Sequence, residues 1–438
     1  MKRKLLEYHQ ILPYSMMAIP LAFMGLPLYM HAPKFYVEEY GVSIGLIGLL
    51  LLALRFIDAV QDPFLGYVSD KYNKHHGFII SLAALMLVCG ITILFMPHTS
   101  AHIFWFTFSM FITATGFSLL TIILSAIGGV WSDDYYNKTK ITSSREAMIL
   151  IGVLIAAVLP NILKKSFHAL NAFELYAIIA AGITVLFWAI FILWYKKQNF
   201  SFQQENKQMS YFSFMKTKQH RFFFLTFLFN SLAAAFPLIT FLFFIDYYLE
   251  APSWSGKFLS IYFLSAVASM PVWHALTKYK GKHLTWVYAM LLAIFSFAWV
   301  LQIGQGDVVC FAIICLISGF ALGADFSLPP SILSDILDET DSKGAASLQF
   351  SVQAFLGKVA LAFASFVVFL ILEMVGYDGE RNFQNQNVLE SIKLLYVLPA
   401  LGFKIIAAAL LLYWNRKIGE PYEVLKVSNS VNGGRHVV

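Results

Sequence analysis

Charged residues are scarce in this chain. Asp, Glu, Lys and Arg make up 13% of its 438 residues, while 59% are hydrophobic, and soluble domains carry about a quarter charged residues. This composition excludes a soluble globular protein. Apolar runs separated by short polar stretches predict about twelve membrane-spanning helices of roughly 20 residues. The predicted spans are 11–35, 43–68, 78–96, 102–130, 144–163, 173–195, 222–245, 257–277, 284–303, 308–332, 348–376 and 391–415. Continuous runs of this kind also exclude a transmembrane β-barrel, whose strands alternate over about ten residues.

Cysteine is nearly absent as well. Cys89, Cys310 and Cys315 all lie inside predicted spans without metal-ligand spacing, so they indicate packing and neither a disulfide framework nor a metal site. The sequence also lacks a glycine-rich phosphate loop and a nucleotide-binding domain, which argues against an ATP-driven pump. We therefore expect a protein that is not an enzyme, has no cofactor and draws its energy from an ion gradient or a substrate gradient.

The net charge of +6 reflects topology. Most Lys and Arg residues fall in segments that face the cytoplasm if the N-terminus is cytoplasmic, as the positive-inside rule requires. No cleavage pattern follows the basic start MKRKLLEYHQ, which predicts an uncleaved cytoplasmic N-terminus. We expect a multi-pass protein of a plasma or bacterial inner membrane with both termini cytoplasmic and no nucleic-acid partner.

A long polar interruption divides the spans six and six. The predicted organisation is an N-terminal bundle over 1–195, a cytoplasmic loop over 196–221, a C-terminal bundle over 222–415 and a cytoplasmic tail over 416–438. Two six-helix halves are the layout of the major facilitator superfamily. The predicted fold class is thus an all-α membrane protein of twelve transmembrane helices in two bundles, functional as a monomer.

Three ionisable residues lie in the second predicted span. Arg55, Asp58 and Asp62 are spaced i, i+3, i+7, which places them within roughly 60° on one helix face. Charges in a membrane need a partner helix or a wet cavity. The two carboxylates with Gln61 could bind Na⁺ or share a proton; the alternative is an Arg55–Asp58 ion pair that only fixes helix packing.

The next loop reads GYVSDKYNKHHG. It is similar to the loop signature of the major facilitator superfamily, with Gly66, Asp70 and Lys71 in register. Asp70 would then latch the cytoplasmic gate by capping a facing helix end or pairing with a base there. We expect Asp335 and Asp338, at the inner end of the tenth span, to form gate ion pairs with cytoplasmic loops.

The pattern Arg-x-x-Asp-Ala-x-x-Asp-Pro-x-x-Gly over 55–66 resembles the second span of the glycoside-pentoside-hexuronide:cation symporters, the group that contains the melibiose permease. The stretches SSREAMILIGV, LPPSILSDILDETD, FLGKVALAF and VGYDG resemble later parts of the same family. The resemblance implies that Asp58 and Asp62 bind the coupling cation and that Arg145 and Lys358 face the substrate cavity. For Arg145 the alternative is neutralisation of Glu146.

The chain departs from that family at the sugar site. The melibiose-type transporters carry acids in the first and fourth spans, whereas the first span here reads IPLAFMGLP and the fourth TIILSAIGG, without an acid. The family's arginine and acid before the eleventh span are also missing from SKGAASLQF. A galactoside-type site is therefore not implied.

Asp325 lies inside the tenth span and is followed by Phe326, which could stack on a sugar ring or pack against an acyl group. We expect Asp325 to pair with Lys358 on the next span; the alternative is a protonated or hydrogen-bonded structural acid. Tyr29 and Gln353 complete the predicted substrate contacts, although helix packing explains either equally well.

These patterns predict a secondary active transporter that couples Na⁺ or H⁺ to uptake of a sugar or related small organic solute by alternating access. One alternative is a transporter of a lysolipid or an anionic organic solute. The other is a membrane receptor or scaffold that transports nothing.

Overall fold

The computed structural model describes residues 6–96, 101–167, 169–198, 213–377 and 384–417, and these residues contain helices and no strand. A π-helical turn, Phe244–Tyr248, directly continues the ninth helix. The helices in chain order are α1 (Tyr8–Met16), α2 (Ile19–Met24), α3 (Leu26–Tyr40), α4 (Ile44–Lys71), α5 (His76–Phe95), α6 (His102–Val130), α7 (Tyr135–Ser166), α8 (Ala169–Tyr195), α9 (Lys218–Phe243), α10 (Ser255–Val300), α11 (Val308–Glu339), α12 (Ala346–Met374) and α13 (Gln386–Lys417).

Each of the twelve predicted spans coincides with helical structure. Eight helices of the described chain are long and apolar enough to cross a membrane, and one of them, Pro252–Val300, contains two predicted spans. The other three predicted spans fall on α1–α3, α4 and α7. The all-α membrane fold class is confirmed.

The first predicted span is divided into three helices. Pro20 and Pro27 lie in the first turns of α2 and α3, where the missing proline N–H costs no helical hydrogen bond. Gly25 separates these two helices with φ −81° and ψ −99°. The prolines and Gly25 therefore coincide with the boundaries between the helices of this span.

The helix α10 joins the predicted eighth and ninth spans. Gly281 has φ +76° and ψ +168° inside it, a backbone conformation that glycine adopts without the steric cost other residues meet. The helix is therefore kinked at this glycine, between the two predicted spans.

The helices cluster into two compact units. The first contains Met1–Gln208 together with Ser342–Phe355, and the second contains Met209–Asp341 together with Leu356–Val438. Each has its own apolar core: Tyr36, Phe95 and Phe106 are buried in the first, and Phe244, Phe311 and Tyr396 in the second. The predicted domain boundaries stay a prediction.

Candidate functional site

Helix α4 has one apolar face and one charged face. Leu52, Phe56 and Phe64 are 69%, 71% and 64% exposed, and their spacing gives a continuous apolar stripe of the kind that a bilayer covers. Asp58 and Asp62 are 7% and 0% exposed. The helix therefore turns its two carboxylates into the first unit and its large apolar side chains outward.

Asp58 is held by side chains from two helices. Ser118 on α6 donates its hydroxyl to Asp58 Oδ1 at 3.0 Å, and Gln61 Nε2 donates to the same oxygen at 3.2 Å. Thr115 Oγ1 donates to Gln61 Oε1 at 3.1 Å. The predicted cation-site residues Asp58 and Gln61 thus meet in one hydrogen-bonded group, with Asp62 one turn further along α4.

Thr115 and Ser118 contact the predicted cation-site residues but were not predicted from the sequence. The fourth span contains no acid, but α6 contributes hydroxyls at i and i+3, which share a helix face. That spacing, opposite a charged second span, is the signal that could have found them. Together with Asp58, Asp62 and Gln61 they bring five oxygen-bearing side chains to this region.

Arg145 is nearly enclosed by protein groups. It is 6% exposed, its Nε and one terminal nitrogen donate to Glu146 Oε1 at 3.1 and 2.5 Å, and its other terminal nitrogen donates to Ser125 Oγ at 2.8 Å. The Tyr14 hydroxyl also lies beside the guanidinium. These contacts support the alternative in which Arg145 neutralises Glu146; its predicted contact with substrate stays a prediction.

The expected Asp325–Lys358 pair is wrong. Lys404 on α13 donates to Asp325 Oδ2 at 2.5 Å, and Trp286 on α10 donates to Oδ1 at 2.8 Å. Lys404 also donates to Asn230 on α9 at 2.7 Å. Lys358 was the expected partner because α12 is the next helix in the chain. In the second unit, however, Lys404 of α13 lies within hydrogen-bonding distance of Asp325 on α11.

Asp70 caps the start of α12. Its two carboxylate oxygens accept from the backbone N–H groups of Ser347 at 2.9 Å and Leu348 at 2.8 Å, and Ser69 donates to the Ser347 hydroxyl at 3.1 Å. A carboxylate on these free N–H groups also interacts favourably with the helix dipole. This is the helix-end contact that the sequence predicted for Asp70.

Gly66 allows this close approach. A Cβ at Gly66 would lie 2.7 Å from the Ser347 carbonyl oxygen and 2.3 Å from Ser351 Oγ, and real side chains do not approach so closely. Nearby, Lys343 forms an ion pair with Asp133 at 2.5 Å. We call Gly66, Asp70, Asp133, Lys343 and Ser347 the latch.

The other predicted gate residues differ in their surroundings. Asp335 forms an ion pair with the buried Lys282 at 2.5 Å, and Lys282 follows the α10 bend at Gly281. Lys71 is exposed at the C-terminal end of α4, where a cation suits the helix dipole. Asp338 is half-buried near the end of α11.

The remaining predicted substrate residues belong to both units. Phe326 and Lys358 are half-buried in the second unit, and Gln353 is half-buried in the first. Tyr29 belongs to α3, but its side chain lies outside the described residues. Their contacts with substrate stay predictions.

Comparison with known proteins identifies the architecture. Residues 13–418 match the MFS/sugar transport protein family. The chain belongs to this family. Its membership confirms the major facilitator fold and the resemblance to the glycoside-pentoside-hexuronide:cation symporters. A member of the MFS/sugar transport protein family is a multi-pass membrane transporter and not an enzyme.

Individual relatives of this family member are distant in sequence and cover most of it. The inner membrane symporter YicJ of Escherichia coli (strain K12) is 23% identical over 430 residues, covering 92% of this chain and 91% of YicJ. The sodium-dependent lysophosphatidylcholine symporter 1 of Gallus gallus is 22% identical over 433 residues, covering 86% and 81%. A bacterial homologue of the iron transporter ferroportin, solved in an outward-facing state, superimposes with a TM-score of 0.71 at 12% identity, covering 93% and 98%; this likeness concerns the fold alone.

Proposed function

We propose that this transporter is a Na⁺-coupled symporter whose cation site contains Asp58, Asp62, Gln61, Thr115 and Ser118. The observation that supports this most is the hydrogen-bonded group around Asp58, in which Ser118 and Gln61 meet one carboxylate oxygen. Hard cations are bound by carboxylate, amide and hydroxyl oxygens. All five side chains carry such an oxygen.

Proton coupling is the alternative at the same site. A proton needs one carboxylate, whereas a sodium ion needs several oxygens arranged around it. The Ser118 hydroxyl and the Gln61 amide at Asp58, together with the Thr115 hydroxyl at Gln61, therefore favour Na⁺. The sodium dependence in the name of the Gallus gallus relative points in the same direction.

The proposed substrate class is a sugar or a related small organic solute, as the family description suggests. Tyr29, Phe326, Gln353 and Lys358 are the candidate contacts. A lysolipid or anionic organic solute is the second candidate, supported by the acid-free first and fourth spans and by the lysophosphatidylcholine symporter among the relatives.

Coupling follows if cation and substrate stabilise the same conformation. A sodium ion at Asp58 and Asp62 would neutralise the carboxylates and reorganise the Gln61 and Ser118 contacts. We assign the latch the role of a cytoplasmic gate, in which Asp70 holds the start of α12 until the loaded carrier releases it. We also propose that both termini lie in the cytoplasm, which the positive-inside rule supports, and that the working unit is the monomer.

The test is uptake into proteoliposomes under an imposed Na⁺ gradient or pH gradient, with labelled mono- and disaccharides and with a lysophosphatidylcholine. Wild-type protein should accumulate at least one of these solutes under the Na⁺ gradient, and Asp58→Asn and Asp62→Asn should not. Asp307→Asn is the matched control, because Asp307 is an exposed acid that accepts from the Gly304 N–H. Full Na⁺-driven uptake by both site variants would contradict the proposal, and uptake under the pH gradient alone would favour proton coupling.

A further inference from the structure

Contacts at two adjacent residues, Leu124 and Ser125, hold the C-terminal half of α6 in place. Tyr14 on α1 donates its hydroxyl to the Leu124 carbonyl at 2.7 Å, and Arg145 on α7 donates to Ser125 Oγ at 2.8 Å. A Cβ at Gly128 would lie 2.2 Å from the Tyr14 hydroxyl oxygen, so the tyrosine fits only because residue 128 is glycine. Helices α1 and α7 thus hold α6 at this level.

The same face of α6 reaches the proposed cation site. Ser118 precedes Ser125 by seven residues, which is nearly two helical turns and about 10.5 Å along the axis. Ser118 contacts Asp58 and Thr115 contacts Gln61. A shift or rotation of α6 at Ser125 therefore displaces the Ser118 hydroxyl relative to the Asp58 carboxylate.

Arg145 itself offers little to a ligand. Its nitrogens are engaged by Glu146 and Ser125, and the residue is 6% exposed. A guanidinium enclosed in this way fixes neighbouring helices, since its planar donors set geometry as well as charge.

We propose that Arg145, through Ser125, and Tyr14, through the Leu124 carbonyl, are positioning residues for the cation site: they hold α6 so that Ser118 and Thr115 meet Asp58 and Gln61. This inference rests on the proposed Na⁺ site. In this role Arg145 affects the affinity for the cation through the position of α6, and it does not contact the substrate.

The test measures Na⁺ affinity without any substrate. The thermal unfolding midpoint of the purified full-length protein is followed against NaCl, with choline chloride keeping the ionic strength constant. Ser125→Ala and Tyr14→Phe should each raise the apparent Kd for Na⁺ about three- to tenfold, which corresponds to about 0.7–1.4 kcal/mol and lies within the range of couplings transmitted by residues that do not contact the ligand. Ser125→Thr keeps the hydroxyl and should retain wild-type affinity.

Ser109→Ala is the matched control. Ser109 is a buried serine of the same helix whose hydroxyl donates to the carbonyls of Trp105 and Phe106 within α6. It should leave the Na⁺ affinity unchanged, and its unfolding midpoint without Na⁺ gives the cost of losing such a bond. Tyr14→Phe provides an independent result if Ser125→Ala proves unstable.

The outcomes separate the two proposals. Wild-type affinity in both Ser125→Ala and Tyr14→Phe, with Asp58→Asn losing the Na⁺ response, overturns the positioning role and leaves the Na⁺ site standing. A wild-type protein that Na⁺ does not stabilise overturns the Na⁺ site, and the positioning role falls with it.

Discussion

Both units bury a carboxylate among membrane-spanning helices, but they surround it differently. In the second unit, Asp325 accepts hydrogen bonds from the Lys404 ammonium and from the Trp286 indole N–H. A protein side chain therefore supplies the positive charge beside this carboxylate. In the first unit the Asp58 hydrogen bonds from Ser118 and Gln61 come from neutral groups. The hydroxyl of Ser118 and the amide of Gln61 carry oxygens of the kind that coordinate a cation, whereas the Lys404 ammonium at Asp325 cannot coordinate one.

A buried acid is therefore not by itself evidence of a ligand site. Intramembrane ionisable residues are functional candidates by default, and the sequence suggested both acids. The Asp325 cluster joins α9, α10, α11 and α13 through an ion pair and its hydrogen bonds, and the hydrogen-bonded group at Asp58 contains several oxygens beside a second acid. The Asp325 contacts indicate a role in holding the second unit together; the predicted contact of Asp325 with substrate stays a prediction.

Removing one member of the Asp325–Lys404 pair is expected to have the largest effect. Lys404→Ala leaves Asp325 without its ammonium, and breaking a buried pair in this way costs about 3–5 kcal/mol. The expected result is a large drop in the unfolding midpoint or loss of folded protein. Replacing both partners, as in Asp325→Leu with Lys404→Met, should recover much of that loss; a Lys404→Ala protein as stable as wild type would show that the pair does not hold the unit.

Gly66→Ala should have the next largest effect. The added methyl group meets the Ser347 carbonyl and the Ser351 hydroxyl, and overpacking of this kind costs about 1–3 kcal/mol. Uptake should fall because the latch no longer closes around Asp70. Gly48→Ala on the same helix, where a Cβ meets nothing within 4 Å, is the matched control. Equal uptake by the two variants would show that the close contact at Gly66 is not needed for transport.

Ser118→Ala should weaken the first unit's site moderately. Loss of one hydroxyl hydrogen bond corresponds to about 0.5–1.5 kcal/mol, and we expect a similar loss in the free energy of Na⁺ binding. The Na⁺ dependence of uptake measures it. An unchanged Na⁺ dependence would exclude Ser118 as a ligand, and with it the contrast between the two acids.

Lys343→Gln should have the smallest effect. Lys343 lies beside the Asp133 carboxyl, to which it donates a hydrogen bond, and so lowers the pKa of Asp133. Exposed pairs contribute at most about 1 kcal/mol. Because the folded-state pKa is lowered, this stability is present above the usual carboxyl pKa and disappears as the pH falls through the lowered value. The unfolding midpoints of the two proteins should therefore differ slightly at neutral pH and converge in acid; a difference that persists in acid would mean that Lys343 acts through another contact.

The features that could be predicted from the sequence are those that depend only on residues close together in the chain. Continuous apolar runs are enough to specify the helices, and the i, i+3, i+7 spacing places Asp58 and Asp62 on one face of α4 whatever packs against them. Partners on other helices depend on which helices meet, and one sequence does not contain that information. For this reason the contacts of Thr115 and Ser118 were not predicted, and Asp325 was expected to pair with Lys358 instead of Lys404. The Asp70 contact was predictable because a loop signature fixed its position relative to a helix end.

The proposed Na⁺ site is tested by calorimetry of direct Na⁺ binding to the purified protein at constant ionic strength. We expect saturable Na⁺ binding in the wild type and in Asp307→Asn, and no binding in Asp58→Asn or Asp62→Asn. Wild-type Na⁺ affinity in a folded Asp58→Asn protein would contradict it.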